Sequence, residues 1–208
     1  MQFNQKALSA ALIGAVLALT ALVAPVAAFD TTNVAYIQTS TGSTSIPVGH
    51  SEFCQRYRAE CQPNAVVVPA VSLDEASWRQ LLTVNAGVNQ AVVPVTDMEL
   101  YQVEEYWTYP NGYGDCEDIA LAKRRELINA GWPASTLLMT VVRERDGNGH
   151  AVLLVRTDRG DLVLDNQEGE VRLWSETPYQ FIKRQSQLDP GSWVDMFDSR
   201  MVQVAAAR

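Results

Sequence analysis

The sequence has 208 residues, of which 47% are hydrophobic, and its formal net charge is -8 at pH 7. A domain of this size can bury a full core without depending on disulfides for its stability. The excess of acidic side chains argues against a nucleic-acid-binding protein, because such proteins need basic surfaces.

Residues 1–28 have the pattern of a secretory signal peptide. Lys6 precedes an uncharged apolar stretch over residues 7–23, and Val26-Ala27-Ala28 has the spacing of small residues that signal peptidase accepts. The alternative is a retained membrane anchor, but about 17 apolar residues are short for a span. We expect cleavage, a periplasmic protein with no membrane span after cleavage, and one domain over residues 29–208.

Residues 29–49 are rich in Thr, Ser and Gly, which predicts an extended or loose lead-in. His50 follows and is interpreted as a structural or surface residue. Export to an oxidising compartment makes Cys54 and Cys61 the natural disulfide pair and leaves Cys116 as a free thiol. If the bond forms, the segment is not one straight helix, because a helix over this spacing separates the two Cα atoms by ~10 Å. Two free buried cysteines are the alternative.

The segment Ser72-Leu73-Asp74-Glu75 matches a capping box and predicts a helix that ends before Pro94. The apolar stripe of this helix includes Asn85 and Asn89. Buried amides need partners, so these two side chains either tie down a loop or approach a functional site, and we favour the loop. A second short helix is predicted at Thr96-Asp97-Met98-Glu99.

The glycine turn Gly112-Tyr113-Gly114 delivers Cys116 to the start of a helix that runs to about Ala130. Asp115 can cap this helix, and the free N–H groups and dipole of its first turn favour a thiolate. A buried structural cysteine beside an ordinary N-cap is the alternative, since free cysteines are often buried.

After this helix the hydrophobic period becomes that of strands, which are predicted at residues 136–143, 150–158, 161–165 and 171–174. Turn sequences separate the first three, so an antiparallel meander is expected. His150 opens one strand and Asp165 closes the next. Together with Cys116 they are the three parts of a triad of nucleophile, base and orienting acid.

One distance in this arrangement is long. With a turn at Arg159-Gly160, Asp165 lies opposite about Leu154, which is ~13 Å along the strand from His150. A bulge, a longer turn or strong twist must shorten this distance. Asp158 and Asp161 lie in the turn itself, further from the histidine, so Asp165 remains the predicted orienting acid.

Three segments together resemble the bacterial transglutaminase-like cysteine proteinase family: Gly114-Asp115-Cys116-Glu117-Asp118 with Ala120-Leu121-Ala122-Lys123, then Gly149-His150-Ala151-Val152-Leu153, then Leu162-Val163-Leu164-Asp165-Asn166. The resemblance covers roughly residues 71–193. It implies an α+β, papain-like or transglutaminase-like fold, with helices first and an antiparallel sheet after them. It also implies the roles of nucleophile for Cys116, general base for His150 and orienting acid for Asp165.

The resemblance further implies a cofactor and partners. In the family's adhesin-cleaving protease, calcium is held by acids flanking the cysteine, which correspond to Asp115 and Glu117 here. The implied partners are a protein substrate, such as a large adhesin retained at the outer membrane, and an inner-membrane regulatory receptor.

The acids themselves also favour a cation. Asp115, Glu117 and Asp118 put up to three negative charges beside a thiol that must itself become negative, and a divalent ion would offset them. The alternative is that these acids cap the helix and face solvent beside basic partners.

The predicted chemistry is acyl transfer, in which the Cys116 thiolate attacks a peptide carbonyl, His150 protonates the leaving amine and water resolves the thioester. The oxyanion hole is expected to include the Cys116 backbone N–H, with Trp107 as the hypothesis for a second donor. Three alternatives stay open: a transglutaminase that transfers the acyl group to an amine, a peptidoglycan amidase, and a non-catalytic binding module with the same fold.

Overall fold

The computed structural model of the protein describes residues 35–198 and residue 200. The predicted signal peptide, residues 1–28, lies outside the described residues. Within the described part of the chain, no helix combines the length and the apolar character needed to cross a membrane.

The α-helices of the described residues are α1 (Val48–Arg56), α2 (Glu75–Ala91), α3 (Asp97–Tyr101) and α4 (Cys116–Asn129). The strands are β1 (Gln38–Thr44), β2 (Val93–Pro94), β3 (Tyr113–Gly114), β4 (Leu137–Arg143), β5 (Gly149–Thr157), β6 (Gly160–Leu164), β7 (Arg172–Leu173), β8 (Gln180–Gln185) and β9 (Trp193–Phe197).

The main sheet has seven strands in the order β1-β9-β8-β4-β5-β6-β7, and each neighbouring pair is antiparallel. Helix α4 packs on one face, where Leu121 and Leu127 share a buried cluster with Met139 of β4 and Leu153 of β5. The next β5 residue, Leu154, lies in a second cluster on the other face, because successive strand residues point to opposite sides. Both faces of the central strands are covered, which explains the continuous apolar sequence of β5. The predicted α+β fold is confirmed.

The sheet is larger than the predicted meander. Strand β1 precedes the helices and pairs with β9 at the edge of the sheet, so the expectation that all helices come first is wrong. The expected lead-in over residues 29–49 contains this strand and the beginning of α1. Strands β1 and β8 are rich in polar side chains, so their pairing with neighbouring strands, rather than a hydrophobic alternation, decides their structure.

Helix α2 begins within the predicted segment, but its cap is Asp74 rather than Ser72. The Asp74 carboxylate accepts a hydrogen bond from the backbone N–H of Ser77, and the Ser77 hydroxyl accepts one from the N–H of Asp74. The Ser72 hydroxyl instead donates to Asp158, beyond the end of β5. The capping-box prediction therefore located the helix but assigned the wrong pair.

The disulfide between Cys54 and Cys61 is formed as predicted, with the Cα atoms 5.6 Å apart. Helix α1 ends before the second cysteine and a short 3-10 turn follows, so the segment is bent. His50 is buried beside this bond and accepts a hydrogen bond from the indole N–H of Trp193, which makes it a structural residue. Cys116 is a free cysteine.

The hairpin between β5 and β6 decides where Asp165 lies. Its turn is Asp158-Arg159, and the last pair of the ladder joins Leu153 to Leu164. Asp165 comes next in the chain, so it lies two residues along β5 from His150, half the predicted separation. The predicted register is wrong by two residues because the hairpin turns one residue earlier than expected.

Candidate active site

The glycine turn and a short two-stranded sheet place Cys116 at the first position of α4. Strand β3 pairs in parallel with β2, which holds the chain just before the cysteine. Gly112 has a φ of 80°, a conformation that residues with a Cβ rarely adopt. A Cβ on Gly114 would lie 2.8 Å from the carboxylate of Asp118. Both glycines are therefore required by the local geometry.

His150 and Asp165 form a buried hydrogen-bonded pair. Nε2 of His150 lies 2.9 Å from Oδ1 of Asp165, and the two side chains are only 1% and 2% exposed. The same carboxylate oxygen accepts from the backbone N–H of Gln167, and the hydroxyl of Tyr179 donates to Oδ2. The Tyr179 ring also packs on the imidazole, with the ring centroids 5.4 Å apart. The acid is thus fixed in orientation towards the imidazole.

Hydrogen bonds decide the ionisation of Asp165. Burial alone would raise its pKa, but the bonds from His150, Tyr179 and the N–H of Gln167 hold the pKa below its ordinary value. Burial and the bond to Asp165 raise the pKa of the Tyr179 hydroxyl, so this group remains a donor. An ionised Asp165 assigns the ring proton to Nε2 and leaves Nδ1 of His150 as the proton acceptor.

The two asparagines of α2 hold the loop that follows β6. Nδ2 of Asn89 donates to the carbonyl oxygen of Asp165 at 2.9 Å, and Nδ2 of Asn85 donates to that of Gly169 at 3.1 Å. The prediction that they tie down a loop is confirmed. Because the loop begins at Asp165, Asn89 also reaches the candidate site.

The thiol of Cys116 lies next to the His150 strand, although within residues 35–198 no hydrogen bond joins it to His150. Its Sγ donates to Oε2 of Glu117 at 3.2 Å, and the backbone N–H of Ala151 bonds to the sulfur. Burial, and after it the charge of Glu117, raises the pKa of the thiol well above its ordinary value. The thiolate expected from the helix start is therefore not the resting form in this arrangement.

Three carboxylates meet beside this thiol. Asp97, Asp115 and Glu117 each offer an oxygen within 4.8 Å of the others. Asp97 opens α3, which is the predicted second short helix. Asp115 holds the N-cap position of α4, but its side chain does not cap the helix and instead accepts from the backbone N–H of Asp97 at 3.2 Å. The cluster contains both predicted metal ligands, Asp115 and Glu117, and adds Asp97 from another element.

The donor set of this cluster fits a hard divalent cation. Burial raises the pKa of all three acids. The pKa of Glu117 rises to about 10, because burial and the charge of Asp115 act in the same direction. Oδ1 of Asp97 and Oδ1 of Asp115 are buried and have no hydrogen-bond partner among the described residues. Buried carboxylate oxygens are unfavourable unless they are paired or coordinate a metal, and oxygen ligands suit calcium.

Asp118, the third acid of the sequence motif, does not belong to this cluster. Its Oδ1 accepts from the backbone N–H of Thr108 at 2.7 Å, and burial raises its pKa to about 8. Glu117 and Asp118 are 5% and 0% exposed. The alternative in which these acids face solvent is therefore wrong for both of them.

Trp107 is a core residue. Its indole N–H donates to Glu105 at 2.9 Å, and its ring packs edge-on against His50. Since this N–H already has an acceptor, the hypothesis that Trp107 supplies the second oxyanion donor is wrong for this arrangement.

Two residues of the site, Asp97 and Tyr179, are not indicated by the sequence pattern. An acid directly after Thr96 is ordinary in the first turn of a helix, so no local signal distinguishes Asp97. Tyr179 directly precedes β8, a strand that is itself absent from the predicted elements. Only the folded chain brings these side chains to Asp115 and Asp165.

The sequence model of the bacterial transglutaminase-like cysteine proteinase family (BTLCP) matches residues 40–201 of the chain. The solved structure of calcium-bound Legionella pneumophila LapG is 28% identical, with a TM-score of 0.46, and the match covers 51% of this chain and 64% of that one. EGTA-treated L. pneumophila LapG and a further structure of the same protein are 27% identical, with TM-scores of 0.48. These matches cover 60% and 62% of this chain and 73% and 74% of theirs.

Comparison with curated proteins gave no match. The family match, in contrast, extends over most of the sequence and includes the cysteine, histidine and aspartate segments. The chain therefore belongs to the bacterial transglutaminase-like cysteine proteinase family.

Proposed function

We propose that the chain is a periplasmic cysteine peptidase in which Cys116 is the nucleophile, His150 the general base and Asp165 the orienting acid. Membership of a proteinase family supports the activity, and the signal-peptide pattern of residues 1–28 supports the location. The observation that carries the proposal is the buried 2.9 Å hydrogen bond between His150 and Asp165, which leaves Nδ1 of the imidazole to exchange a proton with a nucleophile.

The position of Cys116 supports its role. As the first residue of α4 it has a backbone N–H without an intrahelical acceptor, which can donate to an oxyanion. Its sulfur lies against the N–H of Ala151, the residue that follows His150. Catalytic hydrogen bonds often shorten only in the substrate complex, so the absence of a direct bond in the free protein is compatible with this role.

The chemistry is acyl transfer to water. The Cys116 thiol gives its proton to Nδ1 of His150, and the sulfur attacks the peptide carbonyl while the Cys116 N–H donates to the oxyanion. His150 then protonates the leaving amine, and the C–N bond breaks to leave a thioester. A water molecule gives a proton to His150 and attacks the thioester, which releases the carboxylic acid and restores the thiol.

We include calcium as the ion held by Asp97, Asp115 and Glu117. The unpartnered carboxylate oxygens and the closeness of the three acids support a cation, and the family resemblance supports calcium. When bound, the ion would supply positive charge that offsets the acids beside the thiol. The acids themselves link α3 to the start of α4, so they stabilise the turn that positions Cys116.

The proposed substrate is a protein on the cell surface, and the family resemblance favours a large adhesin retained at the outer membrane. The same resemblance favours an inner-membrane receptor as the regulatory partner. The net charge of -8 argues against nucleic acid as a partner.

The proposal is tested by comparing the outer-membrane and secreted proteins of source cells that carry the wild-type chain or Cys116→Ala. We expect a large surface protein to move into the medium, with a new terminus, only in the presence of the wild type. Release of muropeptides would indicate an amidase, and incorporation of an added amine a transglutaminase. If the wild-type and Cys116→Ala cells have identical protein profiles and Cys116 is not labelled covalently, the result would favour a non-catalytic binding module.

A further inference from the structure

Arg200 is an arginine that the proposed mechanism does not use, although it is held in a specific geometry. It lies three residues after the end of β9, and its side chain is 30% exposed. Its Nε and Nη2 bind the two carboxylate oxygens of Asp198 at 2.9 and 2.6 Å, the two-point pairing that arginine forms with a carboxylate. The backbone N–H of Phe181, on β8, donates to the same carboxylate at 3.3 Å. The guanidinium is therefore fixed beside β8 and β9.

The other donors of this guanidinium bind one loop. Residues 174–179, which we call the crossing loop, connect β7 to β8. Nη1 of Arg200 lies within 3.3 Å of three carbonyl oxygens of this loop and Nη2 donates to a fourth, in the order Trp174, Ser175, Thr177 and Tyr179. Backbone carbonyls that are removed from water need donors, and Arg200 supplies donors along the whole crossing loop.

The crossing loop runs over the sheet towards the candidate active site. In the sheet, β7 and β8 are separated by β6, β5 and β4, so the loop must pass these three strands. It does so on the face opposite α4, where Trp174 and Tyr179 pack in the second buried cluster with Val152 of β5 and Val163 of β6. The path of the loop therefore decides where Tyr179 lies.

Tyr179, at the end of the crossing loop, contacts two members of the proposed triad. Its hydroxyl donates to Asp165, and its ring packs on the imidazole of His150. The backbone carbonyl of the same residue accepts from Nη2 of Arg200. One residue thus connects the guanidinium to the acid and the base.

We propose that Arg200 is a positioning residue of the candidate active site, which binds the carbonyls of the crossing loop and thereby holds Tyr179 against Asp165 and His150. It acts only through Tyr179. The inference rests on the proposed function, because it takes Asp165 and His150 as members of the triad.

A purely structural role predicts a different result. If Arg200 only stabilises the fold, Arg200→Met lowers the melting temperature, but Tyr179 still contacts His150 in the molecules that remain folded. If Arg200 positions the crossing loop, the contact is lost while the rest of the fold is kept.

The first measurement is the nuclear Overhauser effect between the rings of Tyr179 and His150, recorded in the protein with Cys116→Ala and in calcium. The two ring centroids are 5.4 Å apart, and the sequence has only two histidines. We expect Arg200→Met to abolish this effect. The effect between His50 and Trp193, whose rings are 5.3 Å apart in the core, should remain and so reports that the variant is folded.

The matched control is Arg172→Met. Arg172 also pairs with an acid two residues before it, Glu170, but its bonds go to that side chain and not to the crossing loop. The control should leave the Tyr179–His150 effect unchanged. Retention of the effect in folded Arg200→Met, or an equal loss in the control, would overturn the proposal.

The second measurement is the rate at which iodoacetamide alkylates Cys116, at neutral pH and in calcium. We expect Arg200→Met to slow the reaction about tenfold, because misplacement by a change far from the chemistry can cost up to ~10²-fold. In a protein with Tyr179→Leu, which has lost both contacts to the triad, Arg200→Met should have no further effect. An equal fold-change in both backgrounds would show that Arg200 does not act through Tyr179 and would overturn the proposal.

If Arg200→Met does not fold, both measurements are made on Arg200→Lys, with the same expected results. Lysine keeps a positive charge beside Asp198 but loses the planar set of donors that binds the carboxylate and the crossing loop together.

The two proposals fail in different ways. An alkylation rate that responds to neither Arg200→Met nor His150→Ala argues against the proposed function. A rate that responds to His150→Ala alone argues against the role of Arg200. The ring-to-ring measurement needs no peptidase activity, so it tests Arg200 even if the wild-type protein is inactive.

Discussion

The hydroxyl of Tyr179 donates a hydrogen bond to Oδ2 of Asp165, the carboxylate oxygen that His150 does not use. The other oxygen, Oδ1, is held by His150 and by the backbone N–H of Gln167. Both oxygens of the acid are therefore satisfied, and its orientation is fixed from two sides. The imidazole of His150 is held between this acid and the Tyr179 ring, so its orientation is fixed as well.

Tyr179→Phe removes one of these bonds and keeps the ring against His150. We expect kcat to fall about 10- to 100-fold, because a hydrogen bond to a charged group contributes roughly 1.5–3 kcal/mol and about 1.4 kcal/mol is a factor of ten in rate, while KM and the fold are retained. Steady-state kinetics and a melting curve check this. The matched control is Tyr36→Phe, which removes a hydrogen bond to the carbonyl of Thr157 away from the triad. Equal effects of the two variants on kcat would contradict the role of Tyr179.

Replacing members of the triad should abolish proteolysis without unfolding the protein. Cys116→Ala and His150→Ala remove the nucleophile and the base, and Asp165→Ala should lower kcat by on the order of 10³–10⁴. Since the three residues act as a unit, Asp165→Ala should lower kcat only slightly further in a variant that already carries His150→Ala. Kinetics on single and double variants with equal melting temperatures provide the check. A fully active Asp165→Ala enzyme would show that another group orients the imidazole.

Calcium should stabilise the protein, and its effect should depend on pH. Without the ion, the pKa of Glu117 is raised to about 10, above its ordinary value of 4.5, so the native state binds more protons than the unfolded state between these values. The stability of the chelated protein then falls as pH rises through this window. Calcium replaces the protons, so the melting temperature should rise on its addition, and rise most at high pH.

Melting curves in chelator and in calcium, at about pH 5 and about pH 9, measure this difference. Asp97→Asn and Glu117→Gln should lose the response to calcium, whereas Asp118→Asn should keep it, because Asp118 bonds to Thr108 outside the cluster. Identical melting temperatures of the wild type with and without calcium would remove the ion from the mechanism.

The turn before the nucleophile should not tolerate a side chain. Gly114→Ala places a Cβ against Asp118, and we expect a destabilisation of about 1–3 kcal/mol together with a loss of activity. The control is Gly87→Ala within α2, where the added Cβ meets no atom within 4 Å. That change should stabilise the protein by about 0.5–1 kcal/mol. Denaturant unfolding measures both values, and a neutral Gly114→Ala would show that the turn can move.

The sequence is sufficient to predict the features that depend on local patterns. The glycine turn, the helix of Cys116, the strands that carry His150 and Asp165 and the disulfide all follow from residue type and spacing, with errors of one or two residues at their ends. Local patterns could not predict the register of the hairpin, because one residue in the turn shifts the pairing by two.

Features that depend on tertiary contacts could not be predicted in the same way. Asp97 reaches Asp115 only through the short β2–β3 pairing, and Tyr179 reaches Asp165 only because β8 joins the sheet on the far side of β4. The polar sequence of β8 becomes a strand through its neighbours. The burial of Cys116 beside Glu117, which raises the pKa of the thiol, is likewise a property of the packed site.

The most direct test of the proposed nucleophile is mass spectrometry of the unreduced mature protein after reaction with iodoacetamide in the presence of calcium. We expect a single alkylated residue, Cys116, because Cys54 and Cys61 are joined in a disulfide. His150→Ala should slow the reaction markedly, since the imidazole accepts the thiol proton. Alkylation at Cys54 or Cys61, or a rate at Cys116 that does not depend on His150, would contradict the assignment of Cys116 as the activated nucleophile of a cysteine peptidase.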